Sequence, residues 1–283
     1  MASPGGSPAP VSTYPPIVNT TPGRPEPEIE QAFDRLVDEG QERLERPLLA
    51  LISTGLLGGI DVGFGVLAYL VVKEHTGDTI LAGIAFSVGF VALLLARSEL
   101  FTENFLVPVT AVVARSGTLR GLARLWGVTL AANLVGGLLI MWILVTARPD
   151  LEETAVEVGT HYAELGVSLE SFALAVLAGA VITLMTRMQH ATESLGVQLV
   201  PAVLFGALLA GAELFHCVLD SLFMMGALIA GADFGLGAFA GALGWSLLGN
   251  LVGGVGLVTG LRLLRVPQRV EEEREHPDQP VGG

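Results

Sequence analysis

The sequence predicts an all-α polytopic membrane protein: six transmembrane helices in a 3+3 inverted repeat, with broken second and fifth helices. Three observations predict it. Of the 283 residues, 51% are hydrophobic and only 15% charged, and the mean hydropathy is +0.62, values of a lipid-embedded chain. Two apolar runs, 80–114 and 196–231, would each reach about 52 Å as one helix, too long for a hydrocarbon core of about 30 Å and too short for two spans and a turn. A helix broken within the membrane satisfies both limits, provided that protein buries the break or the break lines a cavity. Finally, Glu99-Leu100-Phe101 recurs as Glu213-Leu214-Phe215, 114 residues on, and Asn133-Leu134-Val135-Gly136-Gly137 recurs as Asn250-Leu251-Val252-Gly253-Gly254, 117 residues on. Trp126 and Trp245 precede the second pair of motifs. Two matches in one order at nearly one offset mark an internal repeat.

Residues 1–27 hold eight prolines with Gly and Ser and read as a disordered tail, without the basic start and apolar core of a signal peptide. Over 28–46, Ile29, Phe33, Leu36, Val37 and Leu44 recur at helical spacing among charges, an amphipathic interfacial helix. The six-span transport domain occupies 47–265. Pro47 opens a first span to about Val72, and Lys73–Asp78 form a short loop before the first broken segment. A third span covers about Leu122–Val145, an acidic connection runs from Arg148 to Glu170, and a fourth span covers about Ser171–Met188. The second broken segment and a sixth span, about Phe234–Leu264, complete the membrane part. Residues 266–283, with Glu271-Glu272-Glu273, read as a charged, mobile tail.

An even number of spans puts both termini on one side. That side collects Arg35, Arg43, Arg46, Arg115, Arg120, Arg124, Arg187, Arg262, Arg265 and Arg269, so the positive-inside rule makes it cytoplasmic. Three spans per repeat is odd, which inverts the second copy and places a site near a pseudo-two-fold axis. The expected location is the cell (inner or plasma) membrane.

Several function classes are excluded or disfavoured. A net charge of −13 argues against nucleic acid as a partner. The single cysteine, Cys217, excludes an intrachain disulfide and a cysteine-based zinc site. There is no phosphate-binding Gly-rich loop, no histidine–carboxylate metal spacing and no nucleophile elbow, so neither a cofactor, a metal nor an enzyme activity is expected.

Ionisable residues at membrane depth are costly and call for a partner or a role. Candidates are Asp61, Arg97, Glu99, Glu103, Glu213, His216 and Asp220. Aligned on Glu-Leu-Phe, Glu99 and Glu213 are repeat equivalents, and both read as supports for free backbone N–H groups around the breaks. Arg97 reads as an ion-pair partner for one of them, or as a source of positive potential for an anion. His216 stands where the other copy has Thr102. An imidazole there can exchange a proton near neutral pH.

At these residues the chain resembles the formate/nitrite transporter family of small-anion channels and proton-linked transporters. Glu99-Leu100-Phe101-Thr102-Glu103-Asn104 is similar to that family's acidic-Leu-Phe-Thr-x-Asn loop, and the two Asn-Leu-Val-Gly motifs are similar to its third and sixth helices. His216 with Asp220 resembles its fifth-helix histidine segment, and Glu39-Gly40-Gln41 through Arg43 to Pro47 resembles the YfdC-like branch. The resemblance implies a homopentamer with one pore per protomer, an aquaporin-like outline, and Thr102 and His216 as the central pore and proton-relay pair. It also implies Phe101, Phe105, Leu214 and Phe215 as constriction residues, with Glu99, Asn104, Glu213 and Asp220 supporting the loops. Departures are Phe215 where the family has Glu before the histidine, Asp220 where Asn is usual, and Arg97 where a small residue is common. The expected partners are a small monovalent anion or its conjugate weak acid, protons and membrane lipid. A neutral-solute pore and a non-conducting membrane scaffold are the alternatives.

Overall fold

A computed structural model describes residues 27–275, so the proline-rich tail expected over 1–27 lies almost wholly outside the described residues, as do 276–283. The described chain is helical with no strand. Helix α1 (Pro27–Glu45) lies ahead of the first span, α2 (Leu48–Thr76). The first broken segment is α3 (Thr79–Ala96) and α4 (Val107–Val113), joined through a 3₁₀ turn at Phe101–Phe105. Then come α5 (Leu119–Ala147), α6 (Glu152–Leu165) and α7 (Leu169–Gln189). The second broken segment is α8 (Leu195–Gly211) and α9 (Leu219–Ile229). The last span, α10 (Leu236–Leu263), winds as a π-helix over Val252–Gly260, and α11 (Pro267–Glu275) follows it.

Local chemistry sets these boundaries. Gly77 leaves α2 with a left-handed φ of 68°, and the Asp78 carboxylate then accepts the N–H groups of Ile80 and Leu81 at the start of α3. Thr118 caps α5 through the N–H of Gly121, and Ser168 shares a capping box with Ser171 at α7. Leucines such as Leu49, Leu169 and Leu236 point outward and largely exposed, as lipid-facing side chains must.

The inverted repeat is visible in the packing. Helices α2 and α5 approach closely because Gly59 presents no side chain: a Cβ there would lie 2.1 Å from the carbonyl oxygen of Asn133. In the second half, Gly179 of α7 does the same against α10, with its Cβ position 2.1 Å from the carbonyl of Asn250.

One expectation needs correction. Part of the charged tail is ordered: Val266, just before α11, and Val270 within it are buried against Phe33 and Val37 of α1, and Arg269 pairs with Asp34 at 2.5 Å. Charge dominates its composition, but the apolar contacts at 266 and 270 hold it to the bundle. The acidic connection contains a docked helix as well. Ala155, Val158 and Tyr162 recur at helical spacing and bury one face of α6, while its glutamates face outward.

Candidate permeation site

Each break begins with the same backbone manoeuvre. Arg97 ends α3 in the left-handed region (φ 54°), and the N–H of Ser98 reaches back to the carbonyl of Leu93. Glu213 ends α8 likewise (φ 48°), and the N–H of Leu214 reaches back to Leu209. These are Schellman-like closures, and they release the chain from the helix in one step. They pair Arg97 with Glu213, an offset of 116 and not the 114 of the Glu-Leu-Phe match. The symmetry mate of Glu99 is therefore Phe215, and that of His216 is Leu100.

An asparagine then holds each freed strand. Asn133 on α5 accepts the N–H of Phe101 at 2.8 Å and donates to the carbonyls of Glu99 (2.8 Å) and Gly55 (2.7 Å). Asn250 on α10 accepts the N–H of Cys217 at 2.9 Å and donates to Phe215 (2.9 Å) and Ala175 (2.8 Å). Both are fully buried, and every polar atom of each carboxamide side chain has a partner. Sequence reasoning read the two Asn-Leu-Val-Gly-Gly motifs as repeat markers and as part of the family resemblance, without a role for their asparagines. Their function-bearing residue is the asparagine, and the signal was that a costly buried amide recurs in both copies.

The breaks bring Thr102 and His216 together. Thr102 Oγ1 and His216 Nε2 lie 2.9 Å apart, with the two residues 0% and 1% exposed, so the pair is sealed from solvent. His216 Nδ1 accepts the N–H of Leu219 at 3.1 Å and so caps α9. That bond fixes the neutral tautomer: Nδ1 is the acceptor, and Nε2–H donates to Thr102. The Asp220 carboxylate accepts the His216 N–H at 2.6 Å through one oxygen; its other oxygen is buried without a partner among the described residues.

Aromatic layers flank the pair. Phe101, Phe105 and Trp126 meet edge to face, with Trp126 donating to the carbonyl of Asn104 at 2.9 Å and Thr259 of the π-helix donating to that of Phe105 at 2.7 Å. On the other side Phe215 stacks on Tyr162, which stacks on Phe223, itself edge-on to Tyr69. Leu214 is buried beside Phe215. At Tyr69 opens a vestibule of about 440 Å³ lined also by Lys73, Glu157, His161, Glu164 and Glu213. Glu213 is thus half-exposed and 3.9 Å from His161, while Glu99 is buried.

Glu99 takes a different partner from the one expected. Arg46, just before α2, donates to it at 2.9 Å, and Thr54 at 3.3 Å. Arg97 makes no ion pair or side-chain hydrogen bond among the described residues and is exposed; its contribution is the left-handed turn. Arg43 reaches from α1 to Asn104 Oδ1 at 3.1 Å and holds Glu39 at 2.6 Å, and Glu39 also bonds His190 at 3.0 Å. Burial would raise the Glu39 carboxyl, but the His190 hydrogen bond and the Arg43 charge outweigh it and pull its pKa down to about 2. Nothing local in the sequence ties Arg43 or Arg46 to residues some fifty to sixty positions away.

A family model described as formate/nitrite transporter matches residues 30–264. The inner membrane protein YfdC of Escherichia coli (strain K12) is 27% identical over 240 residues, 78% of this chain and 73% of that protein. An uncharacterised transporter of Bacillus subtilis (strain 168), YrhG, is 28% identical over 245 residues, 81% and 91% of the two chains. Among solved structures, a pentameric formate channel with formate bound superposes with a TM-score of 0.65 at 24% identity, over 77% of this chain and 98% of that one.

Proposed function

The chain belongs to the formate/nitrite transporter family, and from that premise we propose that it passes small monovalent anions, formate or nitrite in kind, or their conjugate weak acids across a membrane in proton-linked fashion. The observation that carries the reading is the buried Thr102–His216 hydrogen bond between the two breaks, with aromatic layers on either side. Apolar layers disfavour a bare charge, so the solute crosses them most cheaply as a neutral acid. In the neutral ring, Nε2–H is the donor that meets an incoming oxyanion, and the Thr102 hydroxyl is the group it must displace. Giving up a proton from an imidazolium requires the ring to have gained one first. That gain costs the Leu219 N–H its acceptor at Nδ1, about 1–3 kcal/mol for a buried amide. Phe101 and Phe105 on one side, and Leu214 and Phe215 on the other, are the constrictions in this reading.

The vestibule supports the conjugate acid as the form admitted on its face. Glu157, Glu164 and Glu213 outnumber Lys73, which is engaged by Thr79 at 2.8 Å, so a free anion meets net negative charge there. The arginine-rich face is cytoplasmic by the positive-inside rule, which puts both termini inside and the vestibule outside, in a plasma or inner membrane. The assembly is a homopentamer, a reading supported by the similar formate channel, itself pentameric. Native mass spectrometry in detergent showing mainly monomers or dimers would refute it.

Flux in proteoliposomes, measured across a panel of small anions and neutral solutes at two pH values, tests the function. Formate or nitrite flux that rises as the pH is lowered is expected. Glycerol or water flux without anion or weak-acid flux would overturn it.

A further inference from the structure

Six arginines on the face that carries both described ends have partners. Arg35, Arg43, Arg46 and Arg269 each hold a carboxylate, and Arg124 and Arg274 donate to backbone carbonyls. Arg97, Arg115 and Arg120 have none among the described residues and are exposed, and three others without a partner are gathered together. Arg187 in the last turn of α7, Arg262 in the last turn of α10 and Arg265 just beyond it converge on a small cavity of about 60 Å³ closed by Phe33 and Val266. Among the described residues none of the three has an ion pair or a side-chain hydrogen bond, and no carboxylate lines the cavity. Guanidinium groups gathered without a counter-charge repel one another, and Arg262 is only partly exposed, so water screens them incompletely.

We propose that this cavity binds a phosphate group, and that its source is the headgroup of an anionic membrane phospholipid. Planar guanidinium forks match phosphate oxygens, and the two unesterified oxygens of a phosphodiester, each with more than one lone pair, can accept from three of them together. The cavity, about 60 Å³ and open on one side, leaves room for such a group between the arginines. What favours a lipid over a free ion is the surface next to it. Leu257, Leu261 and Leu264 stand outward at helical spacing on the segment that carries Arg262 and Arg265, all of them substantially exposed. Acyl chains can lie along that stripe while the phosphate enters between the arginines. Because Phe33 belongs to α1 and Val266 leads into α11, the bound headgroup joins both terminal helices to the ends of two spans.

The test needs no transport readout. Full-length protein is placed in nanodiscs of phosphatidylcholine, with or without phosphatidylglycerol, and thermal unfolding is followed for the wild type, Arg187→Gln, Arg262→Gln and, as a control on the same face, the exposed Arg120→Gln. Phosphatidylglycerol should raise the midpoint of the wild type and the control by about 3–5 °C. Arg187→Gln and Arg262→Gln should lose most of that rise. In pure phosphatidylcholine they should unfold at or above the wild-type temperature, because the mutual repulsion is relieved without any ligand to lose. This reversal of sign separates a binding site from a structural role. A rise of equal size in all four proteins would reduce the effect to surface charge and overturn the proposal, as would equal destabilisation of Arg262→Gln in both lipids. Inorganic phosphate at millimolar concentration in phosphatidylcholine supplies the second arm. If it stabilises the wild type but not the two variants while phosphatidylglycerol does nothing, the oxyanion site stands and its lipid source is refuted.

Discussion

Replacing Asn250 with alanine should cost both stability and flux, because one carboxamide places the two residues on either side of His216. The side chain is fully buried and makes three bonds: it accepts from the Cys217 N–H and donates to the carbonyls of Phe215 and Ala175. Ala175 lies inside α7 and keeps its helical acceptor role, so that loss is minor. The Cys217 N–H and the Phe215 carbonyl lie in the break, where no helical neighbour replaces the lost partner. An orphaned buried amide costs about 1–3 kcal/mol and a lost carbonyl partner about 1, for a total of about 2–4 kcal/mol. In a chain of this size that lowers the unfolding midpoint by about 5–15 °C at a fixed scan rate. Asn133→Ala makes the equivalent three-bond change beside Thr102 and should match it. Ser246→Ala, one turn before Asn250, removes a buried hydroxyl already satisfied within its own helix and should shift the midpoint far less. Differential scanning fluorimetry of the three purified variants, followed by flux in liposomes, gives both readings. If either asparagine variant unfolds within about 1 °C of wild type and conducts normally, the clasp does not position the pair and the reasoning fails.

Three further outcomes are expected. His216→Asn should fold normally yet lose the pH dependence of anion flux, since it keeps a polar group and removes the titration; an identical pH response in wild type and variant would leave His216 as a packing residue. Glu99→Gln should lower thermal stability at least as much as flux, because it strips the carboxylate from Arg46 at the buried end of a 2.9 Å pair, at a cost of up to about 3 kcal/mol; normal stability with altered ion selectivity would put Glu99 in the permeation path. Glu39, whose pKa is lowered to about 2 from an ordinary 4.5, contributes stability that is present above pH 4.5 and lost as pH falls towards 2. With its side chain 38% exposed, screening reduces that contribution to about 1 kcal/mol. Hydrogen exchange in α1 should therefore accelerate across that window in the wild type and be insensitive to it in Glu39→Gln.

The sequence made the spans and both breaks legible because the lengths of the apolar runs admit few solutions. It made the register of the repeat less legible. Glu-Leu-Phe at 99 and 213 is the better letter match, yet the left-handed φ at Arg97 and Glu213 shows that backbone geometry repeats two residues out of step with it. Thr102 and His216 meet across the axis without being symmetry mates. Partnerships over long separations left no local trace, as with Arg46–Glu99 and Arg43–Asn104. The face of α6 was present in Ala155, Val158 and Tyr162 but was masked by the surrounding glutamates.

The two clasps also bear on how the protein is made. The Thr54 and Asn133 bonds that tie Glu99 and Phe101 of the first break lie within residues 54–133, Arg43 and Arg46 add theirs to Asn104 and Glu99 from just upstream, and the Asn250 bonds of the second break lie within 175–250. Each loop can be tied by its own half, and the first half leaves the ribosome before the second exists. Thr102–His216, Ser87–Val203 and Phe105–Thr259 are bonds that span the halves and must wait for the later spans to insert. The permeation centre is consequently the seam of biosynthesis. A delay or mistake in the insertion of α8 and α9 would leave a first half with its loop already tied and its threonine without the histidine it meets in the finished protein.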